Sequence, residues 1–270
     1  MKNRRFDILL LLPLAIFALA FLLLPMVRLT VAAASTERGP TAFFAILTDE
    51  RYRTSLIATL ILALFTTAVT LILATIAAQT LANRRFAGRR VLLSLLTFPL
   101  AFPGVVVGFM VILLGGRLGL VGNLARALTG SNLVFAYSLT GLFLGYVYFS
   151  VPRVLLTILA AAEKLDPSLV EAARSLGAGP IAIQRDIVLP ALFPAMYASG
   201  ALCFATAMGA FGTAFTLATN VDVVPMLIYT EFTLATNAGM AAALSIALGL
   251  ITWAVLALAR NRAVRAATGA

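Results

Sequence analysis

The sequence predicts an all-α integral membrane protein: six transmembrane helices, with a short cytoplasmic helical segment between the fourth and the fifth. Three observations carry this prediction. Of 270 residues, 62% are apolar and 11% charged, with a mean hydropathy of +1.04, whereas a soluble domain is about half apolar and a quarter charged. The apolar residues gather into runs of a length that suits the roughly 20 residues needed to cross a bilayer: Ile8–Val27, Leu56–Leu81, Val91–Leu114, Leu133–Ala162, Ile187–Leu217 and Ala238–Ala259. The basic residues, finally, cluster at alternate ends of these runs.

The first run follows Lys2, Arg4 and Arg5 and precedes Ala32-Ala33-Ala34, a pattern that imitates a secretion signal. Ile8 to Met26 is longer than the usual apolar core of about 7–15 residues, which favours a retained first helix. Ser35–Thr54 then forms a mixed-charge external segment containing Gly39-Pro40, too short for a domain of its own. The third run holds Pro99, Pro103, Gly104 and Gly108, which break a regular hydrogen-bond ladder. Two readings stay open for it: an interruption beside a cavity, since freed backbone groups in a bilayer must be satisfied by protein or water, or a simple kink absorbed by packing. Gly115-Gly116-Arg117-Leu118-Gly119 ends that run in a flexible external turn. The fourth and fifth runs exceed what a bilayer requires, so their ends project or tilt. With no internal repeat or low-complexity linker, residues 1–270 read as one membrane domain, its cytoplasmic loop spanning about 163–190.

The formal charge of +10 could suggest nucleic acid, but its distribution argues otherwise. Lys2, Arg4, Arg5, Arg84, Arg85, Arg89, Arg90, Arg153, Lys164, Arg174, Arg185, Arg260, Arg262 and Arg265 fall on one side of a six-span topology, fourteen against Arg28, Arg38, Arg51, Arg53, Arg117 and Arg126 on the other. The positive-inside rule then puts both termini and the loop around Glu171 in the cytoplasm. No aromatic-basic interleaving supports a nucleic-acid partner. Cys203 stands alone in an apolar run and there is no histidine, so no disulfide framework or histidine-based zinc site is expected.

Residues 171–194, EAARSLGAGPIAIQRDIVLPALFP, form a polar island between apolar runs. Asp166-Pro167-Ser168 is a helix start, with Asp166 or Ser168 able to cap exposed amides. The helix runs to about Leu176 and sets Leu169, Ala172, Ala173 and Leu176 on one apolar face whose middle is small. A small-residue face lets another protein approach the backbone closely. Gly177 follows as a left-handed stop, and Gly179-Pro180 turns the chain into a second short helix, Ile181–Val188, before Leu189-Pro190. Ser168 and Glu171 also fit a capping box, which would account for the glutamate but not for the alanines, the glycine and the terminal Leu-Pro.

Glu171-Ala172-Ala173, Gly177 four residues after the second alanine, and the closing Ile187-Val188-Leu189-Pro190 resemble the cytoplasmic coupling loop of the membrane-spanning permease subunits of type I, binding-protein-dependent ATP-binding-cassette importers. The Gly115–Gly119 turn is similar to that family too. Leu24-Pro25, the Pro99/Pro103 helix, and Gly209-Ala210-Phe211-Gly212 followed by Pro225-Met226-Leu227-Ile228-Tyr229 look most like its polyamine, phosphonate, iron and thiamine group. The resemblance implies that Glu171, Ala172, Ala173, Leu176, Gly177, Ile187, Leu189 and Pro190 couple the chain to a cytoplasmic ATPase dimer. It further implies a second permease subunit, identical or homologous, an external solute-binding protein that delivers a small charged solute, and residence in a bacterial-type inner membrane. The chain has no Gly-x4-Gly-Lys-Ser/Thr loop, so it is expected to bind no cofactor and to catalyse nothing, with ATP and Mg on the partner ATPase.

Along the fifth run, Thr206, Gly209, Thr213, Thr216 and Asn220 share roughly one helical face among Phe204, Phe211 and Phe215. They could line a translocation path, as the corresponding helix does in the family resembled, or serve as ordinary helix-packing material. An ion-coupled secondary transporter or channel is the alternative function. No carboxylate falls mid-span, where proton and ion coupling usually place one, and this counts against it. A membrane scaffold or enzyme subunit is a further alternative, without a nucleophile–base pair to support it.

Overall fold

A computed structural model describes residues 12–131, 133–217 and 222–268, with side chains described to residue 259. Its helices are α1 (Leu12–Ala34), α2 (Glu50–Asn83), α3 (Arg89–Thr97), α4 (Gly104–Gly115), α5 (Leu120–Thr129), α6 (Leu139–Ala162), α7 (Pro167–Ser175), α8 (Pro180–Met208), α9 (Phe211–Leu217), α10 (Val224–Thr233) and α11 (Ala238–Thr268). Six stretches are long and apolar enough to cross a membrane: α1, α2, Gly104–Thr129, α6, α8 and Ala238–Ala259. The chain divides into two compact units, residues 1–56 with 227–250 and residues 57–226 with 251–270.

In the first unit, Ala42, Ala45 and Ile46 of the segment Gly39–Thr48 are buried, as are Met240 to Leu244 at the start of α11. Tyr52 at the head of α2 donates its hydroxyl to the buried Glu231 of α10 at 2.9 Å. A carboxylate taken out of water needs such a donor. Asn237 caps α11 by accepting from the Met240 amide at 3.0 Å, the usual service of an Asn at a helix start.

The core of the second unit is a seam of small and branched residues. Ala74, Ala78 and Leu81 of α2 pack with Val154, Leu155, Ile158 and Leu159 of α6 and with Leu192 and Cys203 of α8. Two alanines on one face let the α2 backbone come close, the ordinary means of helix association in lipid.

The third and fifth runs differ from expectation, and for related reasons. Val91–Leu114 is not one helix. α3 stops at Thr97, a 3-10 turn covers Phe98–Ala101, and Phe102 is extended (φ −99°, ψ 134°) before Pro103 opens α4. Pro103 disfavours a helical residue before it, so the open choice between interruption and kink is settled as interruption. The turn after Gly115 does form, but the chain then continues into α5, whose Leu120, Leu124 and Leu128 recur every fourth residue and are exposed.

Ile187–Leu217 also breaks, at Gly209-Ala210. Tyr146 of α6 donates its hydroxyl to the Ala210 carbonyl at 2.7 Å, bracing the chain at this break. At its other end α8 starts earlier than expected and runs through Leu189-Pro190 without a break. A π-turn at Gln184–Val188, in which the Leu189 amide bonds to the Gln184 carbonyl, precedes Pro190 and takes up its missing donor.

The short α9 sits in a notch of glycines. A Cβ on Gly104 would lie 3.0 Å from Thr213 Oγ1, and one on Gly145 would lie 2.8 Å from Thr213 Cγ2. At Gly108 it would collide with Thr216 Oγ1 and come within 2.8 Å of Thr216 Cβ. Overpacking of this kind costs about 1–3 kcal/mol, so Gly108→Ala is expected to lower the unfolding temperature. Adding Thr216→Ala should recover part of the loss, and Gly209→Ala, which meets nothing closer than the Ala205 carbonyl oxygen at 3.8 Å, should be near neutral. Unfolding scans of the detergent-solubilised variants check this.

Candidate coupling surface and membrane cavity

The loop between α6 and α8 folds as a capped helical hairpin. Asp166 is the cap of α7: its Oδ1 accepts from the Ser168 amide at 2.9 Å, and that hydrogen bond holds its carboxyl below the usual carboxylate range. The cap is therefore Asp166 and not Ser168, and Glu171 sits too far along the helix to close a capping box on it.

At the other end, Ala178 N–H bonds to the Ala173 carbonyl and Gly177 N–H to the Arg174 carbonyl, each at 3.0 Å. These two bonds form a Schellman motif, which needs a left-handed residue after the cap. Gly177 supplies it at φ +83°. Gly179 and Pro180 then start α8.

The hairpin is tied to the ends of the membrane helices. Gln184 Nε2 donates to Gln79 Oε1 of α2 at 2.7 Å. Arg89 donates to the Leu81 carbonyl at 2.9 Å and pairs with Glu163. Beneath the hairpin lies a cavity of about 730 Å³ whose lining includes Glu171, Arg174, Gln79 and Asn83.

The sequence-predicted residues separate into two sets. Glu171 lines that inner cavity; Ala173, Ile187 and Leu189 are half-buried, and Pro190 is exposed. Facing outward are Leu169 (51% exposed), Ala172, Leu176 (88%) and Gly177, joined by Ile181 (82%) from α8. Ile181 was not singled out in the sequence. It opens α8 just past the Gly177–Pro180 turn, and no helical period of α7 reveals its exposure. Leu169, Leu176 and Ile181 are thus three large apolar side chains exposed on the capped hairpin.

Of the proposed path residues, Thr206, Gly209 and Thr213 line one cavity of about 300 Å³ with Phe102, Phe149 and Arg153. Thr216 does not line it, and its hydroxyl bonds to the Thr213 carbonyl at 3.0 Å. Asn220 lies outside the described residues. Because α8 ends at Met208, these positions do not form a stripe on one continuous helix. Thr213 is 1% exposed and donates to the Gly104 carbonyl at 3.0 Å, so it is also a packing residue.

The sequence reading placed Arg153 at a span end, in the cytoplasmic cluster. It lies instead nine residues before the end of α6, with Nη1 donating to Thr206 Oγ1 at 3.3 Å, which reduces that cluster to thirteen. It is the one charge within the α6 stretch.

Residues 70–266 match the family described as binding-protein-dependent transport system inner membrane component. A relative from Salmonella typhi named for 2-aminoethylphosphonate transport is 30% identical over 262 residues, covering 94% of this chain and 91% of the relative. The chloroplastic sulfate permease 2 of Chlamydomonas reinhardtii is 34% identical over 193 residues, 72% of this chain and about half (52%) of that longer protein. The molybdenum transport permease ModB of Escherichia coli K12 is 34% identical over 149 residues, 54% of this chain and 64% of ModB. In three dimensions the chain is similar to one from a bacterial ABC transporter involved in alginate import, with a TM-score of 0.83 at 19% identity over 98% of this chain and 96% of the other. With the family matched across most of its length, and the same all-helical fold in a solved transporter chain, this protein belongs to the inner-membrane permease components of binding-protein-dependent ABC importers.

Proposed function

We propose that this chain forms half of the translocation core of an importer, and that α7 with the start of α8 docks on a cytoplasmic ATPase. The exposed trio Leu169, Leu176 and Ile181 on a rigid, capped hairpin carries this reading. Membrane helices without nucleotide chemistry of their own need a surface through which an ATPase dimer, holding ATP and Mg, can pull on them. The half-buried Ile187 and Leu189 and the exposed Pro190 continue the hairpin into α8, so displacement of α7 is carried into the membrane. A second permease subunit completes the core, and an external binding protein delivers a small charged solute, in keeping with the sulfate, molybdenum and phosphonate names of the relatives. The chain itself performs no catalysis. Both termini and the hairpin face the cytoplasm of a bacterial-type inner membrane, a reading supported by thirteen of the twenty basic residues. Thr206, Gly209 and Thr213 border the passage.

Orientation and coupling are tested together in inverted and right-side-out vesicles. Cysteines at Ser168 and Ser175 should react with impermeant thiol reagents only from the cytoplasmic side, and a cysteine at Thr41 only from outside. Solute uptake should require ATP and survive collapse of the ion gradients. External labelling at Ser168 overturns the orientation; uptake that follows the ion gradient and ignores ATP favours the secondary transporter.

A further inference from the structure

Arg153 is the only charged residue of α6, and about 14 Å of helix at 1.5 Å per residue separates it from Ala162. Among the described residues it takes part in none of the ion pairs, which join Arg38 to Asp49, Arg51 to Glu231, Arg89 to Glu163 and Arg185 to Asp186. A cation held inside a span without a carboxylate is costly, and such residues mark substrate and ion routes. Its surroundings support that use. The cavity it lines is bordered by two of this unit's helix interruptions, at Phe102 and at Gly209-Ala210. Irregular backbone is tolerated at such a depth where it lines water.

We propose that Arg153 is an anion-binding station on the translocation route, engaging a small oxyanion, a sulfate-, molybdate- or phosphonate-like group, as it passes between the two broken joints. The inference rests on the transport reading above and deepens it by naming the charge and chemistry of the solute at one side chain. A guanidinium is always charged, and its planar fork matches two oxygens of such a group. Thr206 orients the fork: its hydroxyl donates to the Leu202 carbonyl at 2.7 Å, leaving its lone pairs to accept from Arg153. One edge of the guanidinium is thereby fixed.

Charged thiol reagents test this whatever the solute is. In the transporter assembled with its ATPase subunits in nanodiscs, on a Cys203→Ala background, a cysteine is placed at Leu100, which lines the same cavity, and, in a second variant, at Gly209. Each is reacted with an anionic sulfonatoethyl and a cationic trimethylammonium-ethyl methanethiosulfonate, both rates scaled to those with a free thiol. A focused positive charge should favour the sulfonate reagent by about tenfold or more. Arg153→Gln should bring the ratio to parity, and Arg153→Lys should keep part of it. Equal rates with Arg153 present overturn the proposal, as does protection of both sites in every nucleotide state. A preference seen in phosphate-free detergent but lost in nanodiscs would mean that a lipid phosphate occupies the arginine, which also overturns it. Co-purified ATPase and its ATP hydrolysis are measured on the same samples. Their presence confines a negative result to Arg153, and their absence counts against the transport reading itself.

Discussion

Gly177→Asp is expected to reduce ATP-driven uptake at least tenfold while shifting the unfolding temperature by no more than a few degrees. The residue holds φ +83° in the Schellman turn, and a side chain there is penalised by roughly 1 kcal/mol even for residues that tolerate the left-handed region. The penalty is local, because a Cβ at Gly177 would meet nothing within 4 Å in the chain itself. Most of the loss must therefore arise outside the chain. Aspartate adds a negative charge beside the C-terminal, negative end of α7 and on the face proposed to enter an ATPase groove. Gly177→Asn, which suits the same backbone without the charge, should retain more uptake than Gly177→Asp. Glu171→Ala should be milder than Gly177→Asp, since its side chain lines the inner cavity. Uptake and solute-stimulated ATP hydrolysis measured in parallel check the ranking. Equal and normal activity in all three variants would remove the hairpin from the coupling path.

A larger effect on assembly is expected from the double variant Leu176→Asp/Ile181→Asp. Both side chains are almost fully exposed in the isolated chain, at 88% and 82%, so the folded membrane domain loses little when they change. If a partner buries them, each contributes about 1.5–3 kcal/mol. Losing both weakens docking by roughly a hundredfold to ten-thousandfold. The variant should insert and unfold like the parent yet fail to retain ATPase subunits during purification. Retention at the parental level would show that this apolar pair is not the docking surface.

The legibility of the fold in the sequence followed the kind of signal each element gives. Long apolar runs placed all the spans but the third, which lies at Gly104–Thr129 rather than Val91–Leu114, because crossing a bilayer imposes length and composition on the residues themselves. Asp166-Pro167 and Gly177 marked the ends of α7 to within a residue, because caps are local chemistry. Breaks were harder. Pro103 announced one interruption, but nothing in Met208-Gly209-Ala210 demands that α8 stop. The tertiary contacts at that break are Tyr146 reaching the Ala210 carbonyl and glycines of α4 and α6 making room for α9. Conversely, Leu189-Pro190 looked like a boundary, and the π-turn before it let the helix continue.

The site divided along the same line. The helical period of α7 put Leu169, Ala172 and Leu176 together on one face, whereas the exposure of Ile181 beyond the turn follows no period of that helix. Thr206, Gly209 and Thr213 do border one cavity. That Arg153 faces it is a tertiary fact, since a lone arginine in an apolar run reads equally well as the end of a span.

The most direct measurement of the central claim is a photo-crosslink from the hairpin in the intact membrane. With p-benzoylphenylalanine at Leu176, and at Leu113 of the apolar α4 as a control, the account predicts a crosslink from position 176 to a cytoplasmic protein. That protein should carry a Gly-x4-Gly-Lys-Ser/Thr nucleotide loop, and the control should give none. The yield should change between nucleotide-free and ATP-bound membranes. Crosslinks from position 176 only to lipid or to another copy of this chain, in every nucleotide state, would contradict it.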